Sequence, residues 1–271
     1  MSTNPLFSII VPTHKRPALL GRAIQSVKQQ SLLQSHPEAS VEIFVIADVL
    51  DPATDAVCSQ LLGRQDCYVR RNGVAGPSAS RNLALEMARG SYVLFLDDDD
   101  ALQPDWLAQL VATSAFERRV ALYGDCTVIA ERRPPTGPEL LSASPLSCAG
   151  LLNERLHVKN QVHISCYALP RHLIGARRFD CFMRAYEDWE FLLGLYREQP
   201  AEHVAIQASF VFEVYDETSD RRGASVEASG TDAVLDYLYV YRRYPAPDER
   251  LQEQRSALLA LHGMHVPSAF L

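Results

Sequence analysis

Over residues 7–100, short apolar runs alternate with stretches whose apolar positions recur at helical spacing. Phe7–Val11 reads as a strand stopped by Pro12. Beyond Pro17, the residues Leu20, Ala23, Ile24 and Val27 fall at i, i+3, i+4 and i+7, the buried stripe of a helix. Val41–Ala47, rich in β-branched residues, predicts a second strand. Pro52 opens a second helix through Leu62, proline being well suited to a first helical turn. Cys67–Arg70 predicts a short third strand, and Pro77–Ala88 a helix that Gly90 is suited to end in a left-handed cap. Tyr92–Leu96 is the fourth strand, and it runs straight into Asp97, Asp98, Asp99 and Asp100.

Strands separated by helical crossovers imply an α/β, Rossmann-like, mostly parallel sheet flanked by helices. Such sheets bind ligands at the carboxyl ends of their strands. The polar residues after Val11, Ala47 and Leu96 are therefore the first candidates for chemistry.

The second half is less regular. Pro104–Ser114 predicts a helix and Val120–Tyr123 a strand, while Pro134, Pro135, Pro138 and Pro145 with several serines make residues 131–150 a long loop. Ile164–Leu169 predicts a strand and Tyr186–Arg197 a helix that buries Phe191, Leu192 and Leu195. A β-rich run, Ala205–Val214, precedes two helical segments, Val234–Arg243 and Glu249–His262, split by Pro245 and Pro247. The simplest division is one domain over residues 1–230 and a C-terminal helical extension over 231–271.

Composition narrows the class. The chain has 271 residues, 47% hydrophobic and 22% charged, which is ordinary for a folded globular protein. No stretch approaches the roughly 20 apolar residues of a membrane span. The N-terminus has no basic leader or small-residue cleavage site, so the expected location is cytoplasmic, with peripheral contact at the inner face of a membrane left open. A net charge of −7 argues against nucleic acid as a partner. The six cysteines form no CxxC pair and match no zinc spacing, so they read as small buried hydrophobes in a reducing compartment. Oligomeric state is not legible.

The aspartate run is the strongest chemical feature. In a strand-like continuation, alternate side chains share a face. Asp97 and Asp99 would then enter one crevice while Asp98 points away. Carboxylates this close oppose one another's ionisation unless a cation compensates. A hard divalent ion such as Mg2+ or Mn2+ suits oxygen ligands and also accepts phosphate oxygens.

Five strings, in order, carry a resemblance: FSIIVPTHKRP, VEIFVIAD, GPSASRNLAL, YVLFLDDDD and YEDWEFLLGL. From about Phe7 to Val214 the chain resembles the family 2 glycosyltransferases of GT-A fold. The resemblance implies a nucleotide-binding half over about 1–100 and an acceptor half over about 101–230. It implies that Pro12, Thr13, His14 and Arg16 line the nucleotide pocket, and that Asp48 holds the place of the acid that bonds the base. The family commonly has Asp-Asp-Gly-Ser there, whereas this chain has Ala47-Asp48-Val49-Leu50. Arg81 with Asn82 would shape the donor site, and Asp97 and Asp98 would belong to it. Asp99 would bind Mn2+ or Mg2+. Asp188, before Trp189, would be the general base of an inverting enzyme. A histidine that many members carry is missing from Phe212–Ser219. Two expectations follow: Asp216 or Tyr215 stands in for it, or a loop carrying Arg221 and Arg222 closes over the diphosphate; the loop is the favoured expectation.

The implied activity is transfer of a sugar from a nucleotide-sugar donor, UDP-linked by expectation, to a glycan or lipid-linked acceptor. Two other classes compete. A sugar-1-phosphate nucleotidyltransferase would carry a glycine-rich loop after the first strand, and this loop has no glycine before Gly21. A non-catalytic glycan-binding relative would have no need of both Asp99 and Asp188.

Overall fold

The computed structural model describes residues 4–36, 40–134, 137–214 and 231–271. The first half is β1 (Phe7–Thr13), α1 (Pro17–Lys28), α2 (Ser31–Ser35), β2 (Val41–Ala47), α3 (Pro52–Leu61), β3 (Cys67–Arg70), α4 (Pro77–Met87) and β4 (Tyr92–Phe95). The second is β5 (Ala101–Leu102), α5 (Trp106–Val111), α6 (Ser114–Glu117), β6 (Leu122–Arg132), β7 (Glu139–Leu146), β8 (Tyr167–Pro170), α7 (Arg171–Ile174), α8 (Glu187–Glu198) and β9 (Glu202–Val214), then α9 (Thr231–Arg243) and α10 (Glu249–Leu261).

The strands form one sheet in the order β3-β2-β1-β4-β8-β6-β9-β5, with β7 added on β6. β1 pairs with β2 and β4 in parallel, and β2 with β3. β8 lies antiparallel between β4 and β6, so β6, and β9 parallel to it, run in the direction of β4. The sheet is therefore mostly parallel. Strands β1 and β4 are buried along their whole length. Helix α1 buries Leu20, Ala23, Ile24 and Val27, as the spacing predicts. Full burial of a Leu, Ile or Val contributes roughly 1.5–3 kcal/mol each.

Several expectations are corrected. Strand β1 continues through Pro12 to Thr13. Ile10 O accepts from Leu96 N and Thr13 O from Asp48 N, so residue 12 faces the β4 side, beyond the last paired residue of β4. Its missing N–H therefore costs no ladder bond. Gly90 is not a left-handed cap. A Cβ there would sit 2.4 Å from Ser8 N, so close backbone approach requires glycine. The single helix expected over Pro104–Ser114 is two short ones, the second capped by Thr113, whose Oγ1 accepts from Phe116 N at 3.1 Å. Ile164–Cys166 forms a 3-10 turn, and the strand begins at Tyr167. The loop expected over 131–150 contains β7, paired antiparallel with β6 from Cys126↔Leu146 to Arg132↔Glu139. The cysteines divide: Cys58, Cys126, Cys148 and Cys166 are buried, Cys67 is half-buried and Cys181 is exposed.

Among the described residues, two apolar clusters exist. The larger lies between the sheet and its helices. The smaller joins Trp189 and Leu193 of α8 to Val234, Tyr237, Val240, Tyr241 and Leu259 of the C-terminal helices. Tyr237 and Tyr241 thus cover the core edge, while Tyr239 is exposed. Among the described residues, no helix is long and apolar enough to cross a membrane.

Candidate active site

The chain passes from β3 on one side of β1 to β4 on the other. The carboxyl ends of β1 and β4 thus flank the point where the strand order reverses, the usual ligand crevice of such sheets. The aspartates emerge there. They do not continue the strand. Asp100 N donates to Asp97 O, so the chain turns rather than staying extended. The expected alternation holds all the same: Asp97 and Asp99 are half-buried at the rim, and Asp98 and Asp100 are buried beneath.

The four carboxylates go to three places, with Asp98 and Asp99 sharing Arg16. Asp98 is drawn inward: its Oδ2 accepts from Thr13 Oγ1 at 2.6 Å and from His14 N at 3.3 Å, and its Oδ1 meets Arg16 Nη1 at 3.3 Å. Burial pushes its pKa up to about 6, with Asp99 adding to the rise and Arg16 opposing it. Asp99 Oδ2 lies 3.3 Å from the same Arg16 nitrogen. Asp100 is buried, accepting from Ser165 Oγ at 3.1 Å and Phe212 N at 3.1 Å; burial and the two neighbouring aspartates raise its pKa well above the ordinary value. Asp97 keeps 38% of its side chain exposed and accepts from Arg81 Nη2 at 2.6 Å.

Arg81, on α4 and 3% exposed, is the hinge of the site. Its Nη1 donates to Glu187 Oε1 at 2.9 Å. Burial alone would lower its pKa, but Asp97, Glu187 and Asp188 outweigh it and hold the guanidinium charged. Glu187 is the buried partner: desolvation and Asp188 raise its pKa, and Arg81 opposes them. Asp188 follows in the first turn of α8, half-buried, with Asn160 Nδ2 at 3.5 Å, long for a hydrogen bond. Trp189 is fully buried and donates Nε1 to Leu156 O at 2.7 Å, which fixes the first turn of the helix. Tyr186, just before it, holds the left-handed conformation at φ 61°. Asn82 reaches the backbone of Phe179 in both directions at 2.8 Å, tethering the loop that leads there.

On the other side of β1, Asp48 is buried and closes a second network. Its Oδ1 lies 2.6 Å from His14 Nδ1, and its Oδ2 accepts from Gly76 N at 2.7 Å. His14 itself is 56% exposed, so its ring stands at the rim. Pro12 and Thr13 are buried strand residues that shape the wall. The structure therefore gathers Thr13, His14, Arg16, Asp48, Arg81, Asp97, Asp98, Asp99 and the Glu187–Asp188 step around one sheet edge. Tyr215, Asp216, Arg221 and Arg222 lie outside the described residues.

Residues 8–169 match the family model Glycosyl transferase family 2. The chain belongs to that family. This transferase is 33% identical over 127 residues to GalNAc(5)-diNAcBac-PP-undecaprenol beta-1,3-glucosyltransferase of Campylobacter jejuni, a match covering 46% of this chain and 39% of that enzyme's own length. In structure it resembles S. aureus TarS 1-349 in complex with UDP-GlcNAc at a TM-score of 0.60 and 14% identity, over 94% of this chain and 72% of the other. It also resembles mannosyltransferase PcManGT from Pyrobaculum calidifontis in complex with GDP-Man and Mn2+ at a TM-score of 0.56 and 15% identity, over 99% and 78%. The fold is the GT-A fold.

Sequence reading missed several residues of this transferase's site. Arg22 of α1 donates to Asp99 O at 2.7 Å and to Glu131 at 2.9 Å, with its guanidinium 3.5 Å from the centre of the Phe212 ring. Arg71 holds the loop before α4 through Val74 O, Gly76 O and Ser80 Oγ at 2.7–2.8 Å. Glu187 was passed over for its neighbour. The one signal for it was its place as the first acid of a helix start.

Proposed function

We propose that this transferase is inverting and metal-dependent, moving a sugar from a UDP-linked donor to a hydroxyl of a glycan or lipid-linked acceptor. The observation that carries this reading is the bridge through Arg81. One guanidinium joins Asp97 at the end of β4 to Glu187 at the start of α8, so the carboxylates of the donor side and the acid pair are held beside each other at one sheet edge. The names of the similar proteins support it in kind: a transferase to an undecaprenyl-linked saccharide, a UDP-GlcNAc complex and a complex with Mn2+. A lipid-linked acceptor would bring the enzyme to the inner face of a membrane as a peripheral, cytoplasmic protein.

The donor set at the turn fits a hard cation. Asp97 and Asp99 offer carboxylate oxygens at the rim, and Asp98 and Asp100 hold the turn from beneath. Asp99, with Asp97 beside it, would hold Mn2+ or Mg2+. When bound, such an ion neutralises charge growing on the diphosphate leaving group. Arg16, beside Asp98 and Asp99, places a further positive charge next to that position. His14 and Asp48 form the wall for the nucleotide, with Pro12 and Thr13 shaping the loop.

Asp188 takes the proton of the acceptor hydroxyl. The acceptor oxygen forms a bond to the sugar's anomeric carbon as the bond from that carbon to the diphosphate oxygen breaks. The electron pair leaves with the diphosphate, and the proton remains on Asp188. One displacement inverts the anomeric centre. Glu187 is unsuited to the role because its carboxylate is committed to Arg81.

Asp188→Asn keeps the shape and removes the proton acceptor. Turnover should fall by about 10²-fold or more, with nucleotide-sugar affinity nearly unchanged. Near-normal turnover would overturn the assignment, as would a product whose NMR spectrum shows retained anomeric configuration. Assays of the donor with Mn2+, with and without pyrophosphate, separate the two classes: the transferase releases UDP and sugar with water alone, whereas a nucleotidyltransferase consumes pyrophosphate and releases sugar-1-phosphate and UTP.

A further inference from the structure

Behind the acid turn, three thiols meet. Cys126 lies on β6, Cys148 just beyond β7, and Cys166 at the end of the 3-10 turn before β8. Each is at most 1% exposed. Their Sγ atoms lie within 4.8 Å of one another. A single buried cysteine is adequately explained as a small hydrophobe. Convergence, sulfur to sulfur, from three elements widely separated in sequence is a different observation. Thiols are weak donors and weak acceptors, so their mutual contact gains little. A shared soft cation gains much more. Zn–S bonds of about 2.3 Å set three sulfurs about 3.8–4.0 Å apart, a spacing this triad reaches with little movement.

We propose that Cys126, Cys148 and Cys166 form a three-thiolate site for a thiophilic divalent cation, Zn2+. The surroundings suit it. Cys148 N donates to Asp125 Oδ1 at 2.7 Å, and the same oxygen lies 2.8 Å from His203 Nε2, so the backbone that presents Cys148 is fixed. Ser209 Oγ lies 3.4 Å from Cys166 Sγ and can donate to a thiolate there. Binding of Zn2+ releases the three thiol protons to solvent and leaves one net negative charge at the site. The set is soft sulfur, whereas the turn after β4 is hard oxygen, so the two sites select different ions. This proposal is independent of the catalytic reading above.

Co2+ is the probe. Added to the fully reduced, chelator-treated full chain, it should give thiolate-to-cobalt charge-transfer absorption, which carboxylate ligands do not produce. Zn2+ added afterwards should abolish the band. Cys126→Ser and Cys166→Ser should each lose it, whereas Asp99→Asn and the pair Cys67→Ser with Cys181→Ser should keep it. A wild-type chain without the band overturns the proposal, and so does its loss in the Cys67/Cys181 pair. Because the core variants could fail to fold, a second measurement uses the wild type alone. Zn2+ should slow alkylation of Cys126, Cys148 and Cys166 in mild urea while leaving Cys58 unaffected. Equal rates with and without Zn2+ also overturn it.

Discussion

The turn after β4 and the acid pair that opens α8 carry the same kind of charge and are held in opposite ways. In the turn, every carboxylate is tied down: Asp97 to α4, Asp98 to Thr13 and the residues after it, Asp99 to the Arg16 that it shares with Asp98, and Asp100 to Ser165 and the end of β9. In the pair, Glu187 alone is anchored, and Asp188 stands half-buried beside it with a long contact to Asn160. The first arrangement is a frame that fixes where negative charge sits. The second is an anchor with a loosely held neighbour. The difference teaches that adjacency in sequence does not make acids equivalent. Burial and an arginine decide which one is locked in place and which keeps its carboxylate uncommitted to an arginine.

The comparison breaks most severely at Arg81, the residue the two clusters share. Arg81→Met leaves Asp97 and Glu187 without their partner. Removing one member of a buried pair costs about 3–5 kcal/mol, and the exposure of Asp97 keeps this case near the lower figure. Urea denaturation should show that loss, and turnover should fall with it; a variant as stable as wild type would mean the bridge holds nothing together.

Asp99→Asn strikes only the frame. Metal-dependent donor binding should disappear, while the denaturation midpoint stays within about 0.5 kcal/mol of wild type, as for a rim substitution. Calorimetry showing unchanged affinity for UDP with Mn2+ would remove Asp99 as the ligand.

Glu187→Gln sharpens the anchor reading. It replaces an ion pair with Arg81 by a hydrogen bond from the charged guanidinium to a neutral amide oxygen, at about 1 kcal/mol of stability. Its turnover should fall far less than that of Asp188→Asn. Equal losses in the two variants would mean that the pair acts as a unit.

The smallest effect is expected at Lys15, exposed, at φ 51° between His14 and Arg16. Lys15→Gly removes the steric cost of a left-handed residue. It should stabilise the chain by up to about 1 kcal/mol, with donor affinity unchanged. A drop in the thermal midpoint would show that the lysine side chain, rather than the backbone, matters there.

The parallel half was readable because its signals are local. Pro17, Pro52 and Pro77 each open a helix, and Val41–Ala47 and Cys67–Arg70 have the strand bounds their composition suggests. The second half depends on partners. β7 is exposed throughout and carries Pro145, so only its pairing with β6 makes it a strand. The site divides in the same way. The candidate acids were visible as strings, but the arginines that hold them were less so. Arg22 reaches Asp99 across 77 positions and Glu131 across 109. The inward direction of Asp98 was legible as alternation, but the turn after Leu96 that produces it was not, because the bond from Asp100 N to Asp97 O leaves no mark in the string of aspartates. The thiol triad escaped notice because zinc spacings describe ligands on one short loop, whereas these come from three.

Pro12 acts as a stop on a zip. β1 and β4 are paired up to Ile10 and Phe95, and one further backbone bond, Leu96 N to Ile10 O, closes the seam. The next group on β1 able to extend it would be an N–H at position 12, and proline has none. The seam therefore ends where the aspartates begin. Position 12 therefore offers the acid turn no backbone donor, and whatever holds the aspartates there must come from side chains and from the residues after the strand.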